Sequence, residues 1–235
     1  MRDIRELPAW ERLFKRIVWE QTGSLSGLDI LDFGSGEGVT ACHYAADNRV
    51  TAVEPWDEML KNRWDDNDYT QIQGGIEKVR EMPDRSFDMV ICHNVLEYAD
   101  NREDIIRELA RVLRYGGHMS VAKHNRAGRV MQMAVLLDDM QMAHDLLDGK
   151  NSTASKFGDI RYYDDGLITE TCPELTQIRT LGIRTFWDLQ QDQQKHDSEE
   201  WQKEMMRLEM RVSGMSPYRD IAFFHHLILR KEERI

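Results

Sequence analysis

Ile-Leu-Asp-Phe-Gly-Ser-Gly-Glu-Gly occupies residues 30–38, and its reading decides the fold. An apolar run halts at Asp32 and glycines follow at positions 34, 36 and 38. Residues 39–46 behind them suit a helix, so the stretch reads as strand, tight turn and helix start. Glycine serves there because a side chain would keep a ligand from the backbone, and because such turns use positive φ. A nucleotide-like ligand fits that geometry. The place where a dinucleotide fingerprint wants its third glycine holds Val39, which argues against NAD.

Outward from the turn, the same unit repeats. Residues 49–54, Arg-Val-Thr-Ala-Val-Glu, form a β-branched run ending in Glu54. A carboxylate at the end of a second strand in a doubly wound sheet accepts from both ribose hydroxyls. Residues 69–75 read as a third strand, and residues 87–94 as a fourth whose carboxyl end points His93 and Asn94 at the cleft. Residues 102–113 carry Ile105, Ile106, Leu109, Val112 and Leu113 at helical spacing, and Gly116-Gly117 turns into a fifth strand over 118–123. Alternating strands and helices in this order predict an α/β fold with a parallel, doubly wound, Rossmann-like sheet. Two later strands, within 175–189 and over 221–229, bring the expected sheet to seven.

Between the fifth strand and these later ones the pattern changes. Residues 130–147 read as one Met-rich helix, 149–158 as a polar loop and 164–171 as a short helix. We therefore expect a single domain over 1–235, with an amino-terminal lid and helix at 1–21 and a helical cap insertion at 124–172. Residues 198–212 read as a helix capped by Ser198 with Glu199 and Glu200 in its first turn.

Composition agrees. With 41% hydrophobic residues in 235, the chain can bury a large core. No apolar run approaches the roughly 20 residues of a membrane span, and the charged start is no signal peptide, so a cytoplasmic protein is expected. Cys42, Cys92 and Cys172 are far apart and read as reduced core thiols. His225-His226 and Asp138-Asp139 are adjacent pairs whose side chains point apart, so no metal is expected. The net charge of −11 disfavours a general nucleic-acid binder. Yet residues 109–137 hold no acid, while Arg111, Arg114, Lys123, Arg126 and Arg129 are present, so a local basic face is open. Lys123 and Arg126 are substrate candidates, because the end of a fifth strand opens on the substrate side of the cleft.

These motifs together resemble a known family. The glycine turn is similar to the first motif of class I S-adenosylmethionine (SAM) methyltransferases. The wider set resembles the bacterial tRNA carboxymethoxyuridine methyltransferases over nearly the whole chain. That set is Asp-x-Gly-x-Gly-Glu-Gly, His-Asn-Val-Leu-Glu-Tyr at 93–98, Val-Leu-Arg-Tyr-Gly-Gly at 112–117, Asn-Arg-Ala-Gly at 125–128, Gly-Ile-Arg-Thr-Phe at 182–186, Leu-Glu-Met-Arg at 208–211 and Ser-Pro-Tyr at 216–218. The resemblance implies SAM as cofactor, with contacts at Asp32, Gly34, Ser35, Gly36, Glu54, Ile76, Glu77 and His93. It implies one more at Arg5, on a segment that closes over the methionine carboxylate. It also implies methylation of a carboxylate on a modified wobble uridine in the anticodon region of tRNA; the same chemistry on a small-molecule acid is the alternative.

The chemistry is a single displacement. A carboxylate acceptor, with pKa about 4, is already ionised and needs no general base, so no catalytic side chain is expected. The Asn/Asp-Pro-Pro-aromatic motif that holds an exocyclic amine is absent, since the corresponding residues are His93-Asn94-Val95-Leu96, which favours an oxygen acceptor. Arginine holds a carboxylate by paired hydrogen bonds. Arg184 and Arg211, with Tyr218 as a stacking partner, complete the expected substrate set.

Overall fold

The computed structural model describes residues 2–154 and 158–233. Met1 of the expected lid and residues 155–157 of the expected polar loop lie outside the described residues. After a short 3-10 turn at Ile4–Glu6 comes helix α1 (Ala9–Thr22). Then β1 (Asp29–Phe33), α2 (Val39–Ala45), β2 (Arg49–Glu54), α3 (Asp57–Lys61), β3 (Thr70–Gln73) and α4 (Ile76–Arg80) follow in turn. The unit continues through β4 (Phe87–His93), α5 (Arg102–Val112) and β5 (Leu113–His124). Beyond it lie α6 (Arg126–Val135), α7 (Met140–Leu147), β6 (Ser152–Ala154), β7 (Gly158–Ile160), α8 (Leu167–Thr171), β8 (Leu175–Ile183), α9 (Glu199–Val212) and β9 (Phe224–Lys231).

Seven strands make one sheet in the order β3-β2-β1-β4-β5-β9-β8, with β1 to β5 parallel and β9 antiparallel to both its neighbours. This is the expected α/β, Rossmann-like architecture. Strand alternation splits the core between two faces. Leu31 and Phe33 pack with α5 and α8 through Ile106, Leu109 and Ile168, whereas Ile30 packs with α2 through Val39, Ala41 and Tyr44. Helix α1 covers the far end of that second face, where Leu13, Phe14, Ile17 and Val18 meet Ala122, Ile183 and Phe224. Asp32 is one of the buried polar residues on this face, and its place at the carboxyl end of β1 puts it under the cleft.

The cap departs from expectation. The Met-rich stretch is two helices, because Asp138 takes a positive φ of 53° and the Asp139 side chain accepts from Met142 N–H to start α7. The expected polar loop holds strand β6, which pairs antiparallel with β7. Strand β8 stops at Ile183, because Arg184 takes a left-handed φ of 62°.

Candidate functional site

Carboxyl ends of β1, β2 and β4 surround the glycine turn. Gly34, Gly36 and Gly38 have φ of 74°, 58° and 75°, the left-handed region that glycine enters without penalty. Their surroundings differ. A Cβ on Gly34 would lie 2.3 Å from Val95 Cγ2 and one on Gly38 would lie 2.1 Å from Tyr69 Oη, whereas one on Gly36 would meet nothing within 4 Å. Gly34 and Gly38 are therefore glycine for packing, and Gly36 faces open space.

Glu54 is buried and joins the turn to the next loop. Its Oε2 accepts from Gly36 N–H at 2.8 Å and its Oε1 from Trp56 N–H at 2.9 Å. Farther along, Glu77 Oε1 accepts from Gly75 N–H at 2.7 Å, and Ile76 packs on the core beside it. Asp32 is 3% exposed with Oδ2 unpartnered, and burial pushes its carboxyl up to about 6 although Lys15 pulls it down. Ser35 Oγ, His93 Nδ1 and Asn94 Oδ1 are likewise buried without a partner among the described residues. Asn94 also has a positive φ of 56°. Arg5, expected over this site, instead pairs with Asp3 at 2.5 Å and remains exposed. Its guanidinium lines a groove with Arg12, Arg16, Glu199, Gln202 and Lys203. Asp3 lies two residues away in the capping turn of the same segment, which explains the local pairing.

At the other end of the cleft, most expected substrate cations are engaged by the protein itself. Lys123 is 4% exposed and donates to Asp165 Oδ1 at 2.8 Å and to the Tyr163 carbonyl. Asp165 Oδ2 in turn faces His225 Nδ1 at 2.8 Å. Arg126 donates to the carbonyls of Leu146 and Lys150 at 2.9 and 2.8 Å, which ties α6 to the end of α7. The expected basic face is also neutralised at its start: Arg111 pairs with Asp84 and Glu108, and Arg114 with Asp29 and Asp88. Arg184 is buried against Asp188, its guanidinium 5.1 Å from the Phe223 ring and 5.7 Å from that of Trp10. Arg211 is exposed on α9, and Tyr218 is exposed with its ring 5.9 Å from that of Phe186. Glu209, a natural competitor for Arg211, is buried and accepts from the backbone N–H groups of Thr185, Phe186 and Trp187.

One cation escaped selection from the sequence. Arg129 stands 5.9 Å from the same Phe223 ring, and its Nε is buried with no partner. Gln132, which accepts from Arg129, donates to Asp188 Oδ1 at 3.3 Å. Arg184 pairs with Asp188 directly and Arg129 reaches the same carboxylate only through Gln132, with both guanidiniums near the Phe223 ring. His124 beside them is driven down to about 3 by burial, with Arg184 and Arg129 adding to the effect. Tyr98 Oη lies 3.3 Å from His124 Nε2. Near it, burial pushes the Glu97 carboxyl up to about 7. Nothing local in the sequence separates Arg129 from Arg126 three residues earlier; which of them is left with an open N–H depends on where α7 ends.

Residues 31–121 match the methyltransferase-domain family. An arsenite methyltransferase of Halobacterium salinarum is 27% identical over 176 residues, 71% of this chain and 43% of that protein. A ubiquinone biosynthesis O-methyltransferase of Klebsiella pneumoniae is 27% identical over 127 residues, 51% of this chain and 52% of that protein. The chain thus spans about half the length of the curated relatives it matches. In fold, it is similar to an S-adenosylmethionine dependent methyltransferase from Mesorhizobium loti, with a TM-score of 0.57 covering 97% of this chain and 100% of that one at 16% identity.

Proposed function

We propose that this class I SAM-dependent methyltransferase domain passes its methyl group to an oxygen of a small, flat carboxylic acid. The observation that carries the acceptor is the pair Arg129 and Arg184 near Phe223, where Asp188 pairs with Arg184 alone and Arg129, held by Gln132, keeps a buried Nε without a partner among the described residues. Two guanidiniums with one carboxylate leave a net positive charge beside an aromatic ring, which suits a planar anion. Names of the relatives add support, since one acts on arsenite and another in ubiquinone biosynthesis.

The cofactor end fits the same reading. Of its unpartnered groups, Asp32 Oδ2 and Asn94 Oδ1 are acceptors, which suit an ammonium and a sulfonium rather than a phosphate. Gly36 gives the backbone an open approach, Glu54 would take the ribose hydroxyls, and Ile76 with Glu77 would flank the adenine. When bound, SAM supplies a methyl carbon made electrophilic by its sulfonium. The chain's own contribution is alignment, an effect worth up to about 7 to 11 kcal/mol. Arg129 and Arg184 hold the acceptor, with half-buried His124 and Tyr98 beside them.

A second reading places the same carboxylate on a wobble uridine of tRNA. It is favoured by the groove of Arg5, Arg12, Arg16 and Lys203, which holds Glu199 as its acid, together with exposed Arg211 and Tyr218. Methyl-labelled SAM offered with free aromatic and heterocyclic acids, and separately with tRNA carrying carboxymethoxyuridine, tests both. We expect a base-labile methyl ester on a free acid, uncompeted by tRNA. A base-stable product refutes the carboxylate acceptor, and transfer to tRNA alone that weakens with salt selects the second reading.

A further inference from the structure

His93 sits at the end of a buried chain of side chains that crosses the sheet beneath α1. His93 Nε2 lies 2.8 Å from Ser120 Oγ on β5, which lies 2.6 Å from His226 Nε2 on β9. His226 Nδ1 lies 2.8 Å from Gln21 Oε1 on α1, and Gln21 Nε2 donates to the Gly182 carbonyl of β8 at 2.9 Å. Ser120 and His226 are fully buried and Gln21 is 3% exposed, so solvent does not interrupt the chain.

The direction of every bond follows from its last member. A carbonyl only accepts, so the Gln21 amide must turn its NH₂ to Gly182 and its oxygen to His226. His226 therefore carries its proton on Nδ1 and leaves Nε2 as an acceptor. Ser120 must donate its hydroxyl hydrogen to that lone pair, which leaves its oxygen to accept from His93 Nε2–H. This assignment needs neutral rings. Burial drives His93 well below the usual histidine range and His226 down to about 3, and the His226 ring and the Lys15 ammonium add to the shift at His93.

We propose that Gln21, His226 and Ser120 are positioning residues that fix the His93 proton on Nε2, so that buried Nδ1 serves as an acceptor for the ammonium of the methionine end of SAM. Asp32 pairs in register with Ile91 on β4, so Asp32 and His93 project from the same face of adjacent strands. Asp32 Oδ2 and His93 Nδ1 are then two buried acceptors lacking a donor. An ammonium supplies one to each. The inference rests on the SAM reading for the identity of the donor, but the tautomer stands on the protein alone. Lys15 donates to Thr40 Oγ1 at 2.9 Å, and its charge opposes a third proton on this side.

The test uses the whole chain labelled with ¹⁵N-histidine, with long-range ¹H–¹⁵N correlation to read each ring and His93→Asn and His226→Gln spectra for assignment. At pH 7 without cofactor we expect the Nε2–H form of His93 and the Nδ1–H form of His226. Ser120→Ala, and independently the remote Gln21→Leu, should mix the His93 tautomers and raise the SAM KM about tenfold while kcat changes less than twofold. A wild-type His93 protonated on Nδ1 overturns the relay, as does a tautomer change that leaves SAM affinity intact. A wild-type protein that holds the Nε2–H form but binds no SAM removes the cofactor reading and with it the role given to Nδ1.

Discussion

The two ends of the cleft are built in different ways. At the cofactor end, three consecutive strand ends bring Asp32, Glu54, His93 and Asn94 together, and the contacts are largely to backbone: Glu54 holds the N–H groups of Gly36 and Trp56. Each of these residues sits at a place that the parallel sheet assigns by topology. At the acceptor end, the 184–188 segment, Arg129, Phe223 and Glu209 come from far apart in the chain, and side-chain contacts join them to one another and, at Glu209, to backbone. The first end is a property of the fold; the second depends on the particular side chains that the 129–132, 184–188, 209 and 223 segments bring together. Substrate choice can change at the second without disturbing the first.

If that contrast holds, damage should stay at the end where it is made. The largest effect is expected from Glu209→Ala, which leaves the N–H groups of residues 185–187, two of them on buried residues, without their acceptor. Loss of three hydrogen bonds to one carboxylate costs about 3 to 5 kcal/mol. Urea unfolding should show it, while calorimetry at a temperature where the variant remains folded should show SAM affinity near that of the wild type. Equal loss of SAM binding would mean the two ends fold and fail together.

Glu54→Ala is the converse. It should weaken SAM binding by about 1.5 to 3 kcal/mol, the range for hydrogen bonds to a charged group, and leave acceptor KM within twofold. Calorimetry with SAM and steady-state kinetics with a saturating acid separate the two. Unchanged SAM affinity would take Glu54 out of the site.

Legibility in the sequence follows the same division. The glycine turn, Glu54, the five parallel units and the Ser198 cap were readable because each is a local pattern with one backbone solution. The cation roles were not. Lys123 looks like a substrate residue by its place at the end of β5, but Asp165, forty-two residues on, takes its charge. Arg126 is drawn to two carbonyls at the end of α7, which required knowing that the Met-rich stretch breaks at Asp138. Arg5 is taken by its neighbour Asp3. Ser120 and His226 carry no motif at all, and only the antiparallel pairing of β5 with β9 brings them together.

Acid should loosen the acceptor end first. Burial alone would raise the Asp165 carboxyl, but His225 and Lys123 hold it down at about 2. Its folded pKa is below the unfolded value of about 3.9, so its stabilising contribution is complete above pH 4 and fades as pH falls toward 2. A shift of that size corresponds to about 2.6 kcal/mol. Asp165→Asn should therefore lower stability at pH 7 by about that amount and flatten the stability profile between pH 4 and 2. A parallel, unflattened profile would show that Asp165 holds no charge that matters to the fold.

Arg211→Ala is expected to change least. Arg211 is exposed on α9, outside the Arg184–Asp188–Arg129 group, and exposed single charges typically contribute less than about 1 kcal/mol. Thermal stability, SAM affinity and kcat/KM on a free acid should all stay within about twofold of wild type. The same substitution reads differently if the acceptor arrives on RNA. Arg211 and Tyr218 would then meet an unstacked base and its flanking phosphate before the carboxylate reaches Arg129, and removing Arg211 would cut transfer to tRNA tenfold or more. Measuring both acceptors with one variant therefore decides where the boundary of the acceptor end lies. No loss on either keeps it at the buried pair around Phe223; a selective loss on tRNA extends it outward along α9 and hands the substrate to the second reading.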